Sequence, residues 1–203
     1  MTPTGLADLI RGKATGQGRF ITALAGAPGS GKSTLAAQVV AALGPGARMV
    51  PMDGFHYDDA VLEARGHRAR KGAPHTFDAM GFLHLIRRLR AEDEVAIPVF
   101  DRSMELSRAA ADVVTADDRF LVVEGNYLLL DEAPWTDLAP LFDLTVFLEV
   151  PVAELDRRLL ARWAHYGKTQ DAARAWIDGN DMPNIRRVVD GSRKADVMVR
   201  WAE

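Results

Sequence analysis

The 203-residue sequence contains no cysteine. That absence excludes structural disulfides, thiolate zinc sites and cysteine nucleophiles, and it is compatible with a cytoplasmic protein, which is the expectation. Long apolar runs are missing as well. No stretch approaches the ~20 residues needed to span a membrane. Met1 to Gly18 carries an early acid, Asp8, and no apolar core ahead of a cleavage site, so neither membrane insertion nor a signal peptide is expected. Positive charge is not in excess: the formal net charge of −3 argues against a general nucleic-acid binder. The chain has no Asn-Lys-x-Asp guanine motif, which argues against a GTPase, and no internal repeat or low-complexity linker, so residues 1–203 are expected to form one domain. The 48% hydrophobic and 26% charged content is ordinary for a soluble globular chain.

What is present is a phosphate-binding pattern. Gly26-Ala27-Pro28-Gly29-Ser30-Gly31-Lys32-Ser33, followed by Thr34, matches G-x-x-x-x-G-K-[ST] in full. In such a loop the glycines let backbone N–H groups approach phosphate oxygens, the lysine sits near the β- and γ-phosphates, and the serine hydroxyl reaches Mg²⁺. The flanks fit. Phe20 to Ala25 is short and mostly apolar, as a buried parallel strand should be, and Ser33 to Leu43 is rich in Ala, Leu and Val and reads as a helix whose positive end faces the anion. The alternative is a Gly-rich turn that happens to contain Lys.

Further along, Leu6 to Arg11 reads as part of a leading helix, and Met49 to Met52 as a short strand ending at Asp53-Gly54-Phe55-His56. Residues 58–75 are polar and basic and read as a surface segment, with Asp58 and Asp59 solvated. Thr76 is the expected N-cap of a helix over Phe77 to Ala91, whose Phe82, Leu85, Ile86 and Leu89 form an apolar stripe. Val95 to Phe100 is extended, Phe120 to Val123 is a core strand ending at Glu124-Gly125, and Leu144 to Val150 is another strand. Pro151 opens a helix reaching about Tyr166; helices follow over Gln170 to Ile177 and Pro183 to Val189, with a late strand at Ala195 to Val199. Strands alternating with helices imply a mostly parallel sheet covered on both faces.

Ligands collect at the carboxyl ends of such strands, so the residues there are the ones to read for chemistry. Asp53 could accept a proton from an attacking hydroxyl or join a Mg²⁺ shell; the alternative is a turn or capping acid. Glu124 is the expected second metal-coordinating element, against a simple strand-terminating acid. Arg157, Arg158 and Arg162 precede Gly167-Lys168, and a lid over about 157–180 carrying Arg158 or Arg162 would neutralise a transferring phosphoryl group and exclude water; a solvated arginine face is the alternative. His56 and His75 flank expected substrate segments, whereas His67, His84 and His165 read as surface. Trp135, Trp163, Trp176 and Trp201 are expected in the core or at interfaces rather than as base-stacking platforms.

These residues resemble the P-loop small-molecule kinases that include uridine kinase, phosphoribulokinase and the bacterial type of pantothenate kinase. The resemblance runs from about Phe20 to Val199. Beyond the P-loop it is carried by Met52-Asp53-Gly54-Phe55, Arg70-Lys71-Gly72-Ala73-Pro74-His75-Thr76-Phe77-Asp78, Pro98-Val99-Phe100-Asp101, Val123-Glu124-Gly125 and Ala195-Asp196-Val197. It implies a three-layer α/β P-loop kinase fold, ATP and Mg²⁺ as cofactors, Asp53 as catalytic base, Glu124 in the magnesium shell and a lid at Arg157 to Lys168. The Arg-Lys-Gly segment resembles a pantothenate kinase signature; Phe100-Asp101 with Arg108 looks more like the uridine kinase acceptor region. The chain departs from both, since Asp101-Arg102 follows Phe100 where pantothenate kinases have a histidine, and the turn at Asp53 differs from that of uridine kinases. It looks closest to short bacterial members named as fructose or fructose-transport kinases. The implied partner is a small-molecule acceptor with a hydroxyl group, and homo-oligomers are common in the group. Expected site residues are Asp53, Lys32, Arg158 and Arg162 for catalysis; Gly26, Ala27, Pro28, Gly29, Ser30, Gly31, Lys32, Ser33 and Thr34 for nucleotide; Ser33, Glu124 and Asp53 for metal; and His56, Lys71, Asp101, Arg102 and Arg108 for the acceptor. A sugar is the leading acceptor, with a nucleoside or pantothenate as alternatives, and a regulatory or transport-coupled ATPase as the alternative of another class.

Overall fold

The computed structural model describes residues 1–200, so Trp201 lies outside the described residues. Among them, five strands form one parallel sheet in the order β2-β5-β1-β6-β7: β1 (Phe20–Gly26), β2 (Ala47–Pro51), β5 (Phe120–Gly125), β6 (Leu144–Glu149) and β7 (Val197–Arg200). The central strands are apolar on both faces because helices cover both. Leu6 and Ile10 of α1 (Pro3–Lys13), Val39 and Leu43 of α2 (Lys32–Leu43), Phe82, Ile86 and Leu89 of α4 (Ala79–Ala91), and Leu155 and Leu159 of α5 (Val152–His165) join Ile21, Leu24, Val122, Val123 and Val146 in one core. Ile185 and Val188 of α7 (Met182–Gly191) complete it. Among the described residues no helix is long and apolar enough to cross a membrane.

Three departures from the sequence reading affect the site. The polar segment 58–75 holds a short helix, α3 (Asp59–Ala64), capped by the Asp58 carboxylate, which accepts from the Ala60 N–H. Helix α4 is capped by Asp78, which accepts from Gly81 N–H at 2.9 Å, and not by Thr76. Thr76 is buried, and its hydroxyl donates to the Ala73 carbonyl at 2.7 Å. Finally, β3 (Val95–Asp101) does not join the sheet. It pairs antiparallel with β4 (Leu106–Val114) in a separate hairpin. The middle of β4, Arg108 to Ala111, is exposed on both faces, so it lacks the apolar run that marks the core strands.

Candidate active site

The parallel register brings three chemical groups to one sheet edge. On β5, Glu124 is the partner of Leu24 on β1 and of Pro51 on β2. Asp53 follows Pro51 by two residues in a tight helical turn (Met52–Phe55), and the phosphate-binding loop follows β1 directly. That crossing requires Gly125: a Cβ there would lie 2.5 Å from the Met52 Cβ, so any side chain would push the Asp53 turn off β5.

The loop ends at Gly31, whose φ of 88° lies in the left-handed region. No side chain caps α2, so its first-turn N–H groups are left to receive an anion. Arg158 of α5 donates to the Ser30 carbonyl at 2.8 Å and to the Gly29 carbonyl at 3.5 Å, while its Nε donates to Glu154 at 2.7 Å. It therefore grips the loop backbone. Arg162, one helical turn on, instead lines the cavity in front of the loop.

That cavity measures about 450 Å³, and Lys32, Asp53, Arg102 and Arg162 share its wall. Burial lowers the pKa of Lys32 against the pull of Glu124 and Asp53. Burial alone would raise the Asp53 carboxyl, but Arg102, with His56, Lys32 and Arg162, holds it below the usual carboxylate range. Arg102 donates directly to the Asp53 carboxylate. Glu124 behaves oppositely. It is 4% exposed, and burial, with the like charge of Asp53, raises its pKa against Lys32 and a hydrogen bond from Ser33. Two carboxyls at one edge are thus pushed apart in acidity.

One Glu124 oxygen, Oε2, is buried without a hydrogen-bond partner, beside the Ser33 hydroxyl that bonds the same carboxylate. Among the described residues no cluster of three or more His, Asp or Glu could hold a metal by itself. Mg²⁺ in nucleotide sites takes one or two protein groups and completes its shell with water and phosphate oxygens, so an orphaned carboxylate oxygen beside a serine hydroxyl fits it.

Of the expected acceptor residues, His56, Lys71 and Arg102 line the cavity, and Asp101 and Arg108 do not. His56 stacks on Phe77 at 3.9 Å; burial, only partly offset by Asp53, depresses its pKa to about 4. Its Nδ1 has no partner. Lys71 donates to Asp59 at 2.6 Å and to the Glu105 carbonyl at 3.0 Å, so Asp59 is an ion-pair partner and not a solvated acid. Asp101 accepts from the Ser103 N–H and hydroxyl and the Met104 N–H, shaping the hairpin tip, with Arg108 3.6 Å away.

Sequence reasoning missed one wall. Trp163 and Trp176 line the cavity together with Tyr166, Asn180 and Asp181, and Lys168 lies 5.2 Å from the ring centres of both tryptophans. Trp163 donates to Asp181 at 2.7 Å. Trp135, as expected, is core. The available signal was the close spacing of Arg162, Trp163, Tyr166 and Lys168, which puts aromatic and cationic groups at and just beyond the end of α5.

Residues 21–201 match the model of the phosphoribulokinase/uridine kinase family. The chain is 37% identical over 193 residues to "Uncharacterized protein YggC" of Escherichia coli (strain K12), covering 92% of this chain and 80% of that one. It is 34% identical over 197 residues to "Putative uridine kinase C227.14" of Schizosaccharomyces pombe, covering 91% and 84%. A crystal structure from Silicibacter sp. TM1040, of a "putative fructose transport system kinase", superposes over the whole of both chains with a TM-score of 0.94 at 43% identity. With its phosphate loop, its parallel sheet and this match, the chain belongs to the phosphoribulokinase/uridine kinase family of P-loop kinases.

Proposed function

We propose that this kinase uses ATP and Mg²⁺ to phosphorylate a hydroxyl of a small metabolite, with a sugar of the fructose type as the leading acceptor. One observation carries the reading: an ionised carboxylate, Asp53, faces the same cavity as Lys32 and Arg162. The acceptor oxygen bonds to the γ-phosphorus, the bond from that phosphorus to the β–γ bridging oxygen breaks, the hydroxyl proton passes to Asp53, and ADP leaves. Lys32 and the N–H groups of residues 26–34 hold the phosphates. Ser33, Glu124 and Asp53 would hold Mg²⁺, which neutralises charge on the phosphate oxygens when bound. Arg162 closes over the transferring group from a lid spanning about 157–180, and Arg158 keeps the loop backbone in its anion-receiving shape.

His56, Lys71 and Arg102 contact the acceptor, whereas Asp101 and Arg108 act through the hairpin that carries Arg102. A site that hydrogen-bonds hydroxyls rejects analogues lacking them, and the name of the 43%-identical Silicibacter protein supports fructose. The aromatic wall of Trp163, Tyr166 and Trp176 favours a second reading, a nucleoside acceptor stacked on those rings.

ADP formation measured with ATP, Mg²⁺ and a panel of sugars, nucleosides and pantothenate separates these. Dependence on fructose is expected. Dependence on a nucleoside alone selects the second reading, and turnover indifferent to every added metabolite makes the protein a regulatory or transport-coupled ATPase. Asp53→Asn should retain ATP binding and lose ~10²-fold or more in turnover; full activity in that variant removes Asp53 from the base role.

A further inference from the structure

A second cavity, of about 600 Å³, shares a wall with the first. The segment at 70–75 divides its residues between them: Arg70, Ala73, Pro74 and His75 line the second cavity, while Lys71 and Gly72 line the catalytic one. Asn184 of α7 lines both.

The second cavity combines apolar and cationic surface. Pro74, Met80, Pro134 and Pro183 provide the accessible apolar surface, with Phe77 and Trp135, each 3% exposed, behind them. Arg70 and Arg187 provide the cations, and burial with the neighbouring His67 and arginines lowers the pKa of His75, which lines the same cavity. Its two carboxylates are engaged: Asp78 caps α4 and Glu132 accepts from Arg187. An apolar body fits against Met80 and the prolines, and an acidic group would pair with Arg70 or take the place of Glu132 on Arg187.

Two sets of contacts cross the wall. Phe77 stacks on His56, which lines the catalytic cavity. Arg70 donates to Asn184 at 3.1 Å, Asn184 donates to Asn180 at 3.4 Å, and Asn180 donates to the Lys71 carbonyl at 2.9 Å. An anion that recruits Arg70 competes directly with the first link of that chain.

We propose that the second cavity is an allosteric site for a compact apolar anion, an apolar body bearing one carboxylate or phosphate, and that its occupancy is transmitted across the shared wall to the catalytic cavity. The inference needs nucleotide binding at the P-loop for its readout and is independent of which acceptor the kinase uses.

Phenyl phosphate and 3-phenylpropionate serve as probes, titrated calorimetrically into the full chain loaded with Mg²⁺ and a non-hydrolysable ATP analogue. At least one probe should bind at a single site, and Arg187→Ala and Met80→Trp should each weaken it by about tenfold or more. Met80 is 47% exposed on the cavity rim, so its tryptophan variant narrows the cavity without disturbing the core, and unchanged analogue binding verifies that each variant is folded. The analogue's affinity should differ several-fold with and without bound probe, the same factor appearing in the reverse titration. Binding that ignores both variants, or no binding of either probe at millimolar concentration, overturns the site. Binding weakened by both variants with no change in analogue affinity overturns the transmission.

Discussion

In its proposed role as base, Asp53 answers to two opposing demands. A catalytic base must be ionised before the acceptor arrives, and Arg102 secures that. The same ion pair makes the carboxylate a poorer proton acceptor. An acceptor that draws the guanidinium onto itself would relieve the conflict at the moment of reaction, because Arg102 is half-exposed and lines the cavity. Since Arg102 lowers the Asp53 pKa, removing it must raise that pKa. Arg102→Ala should shift the acidic limb of the kcat/KM profile to higher pH. A limb that stays in place would mean that another group governs it.

At the scale of elements, the molecule depends on polar clips that no apolar pattern advertises. Arg19, just ahead of β1, donates to the carbonyls of Leu89, Glu92, Asp93, Thr115 and Asp118. One guanidinium thereby gathers the end of α4, the start of the hairpin and the approach to β5. Arg19→Ala should lower the unfolding free energy by about 2–4 kcal/mol, read from urea denaturation, because several acceptors lose a charged donor together. A loss below about 0.5 kcal/mol would mean that water replaces the guanidinium at little cost. Nothing in the sequence around Arg19 distinguishes it from a surface arginine, since its partners lie 70 to 99 residues away. The hairpin was hidden for a related reason: the middle of β4, Arg108 to Ala111, is exposed on both faces and Ala-rich, so its pairing with β3 leaves no hydrophobic alternation. By contrast β1, β5 and β6 are buried on both faces and read as unbroken apolar runs. The strand-end rule then located Lys32, Ser33, Asp53 and Glu124, because a parallel sheet delivers all its carboxyl ends to one edge. It could not locate the wall of Trp163, Tyr166 and Trp176, which stands on helices beyond that edge. Nor could it separate Arg102 from its neighbour Asp101, since one side chain turns into the cavity and the other into the hairpin tip.

The whole molecule should register acid through His56. Its folded pKa of about 4 lies below the ordinary value of 6.5, mainly because of burial, with Asp53 opposing. The unfolded chain therefore binds the extra proton first, and stability falls as pH drops from about 6.5 toward 4. Between pH 7 and pH 5 the loss from this one group should be about 1–2 kcal/mol. Comparing thermal unfolding of the wild type and His56→Gln at both pH values isolates it. Parallel pH dependence in the two proteins would place the acid sensitivity elsewhere.

The hairpin that carries Arg102 is not part of the sheet that carries Asp53. It is held to the body partly by Arg48, which reaches Asp112 on β4 at 3.0 Å and Asp118 ahead of β5 at 2.9 Å. The charge that sets the proton affinity of Asp53 is thus mounted on a different sheet from the one whose edge carries the carboxylate. The arrangement works as a mechanical gauge: displacement of the hairpin by an ångström or two would be written into the titration midpoint of a single carboxyl group.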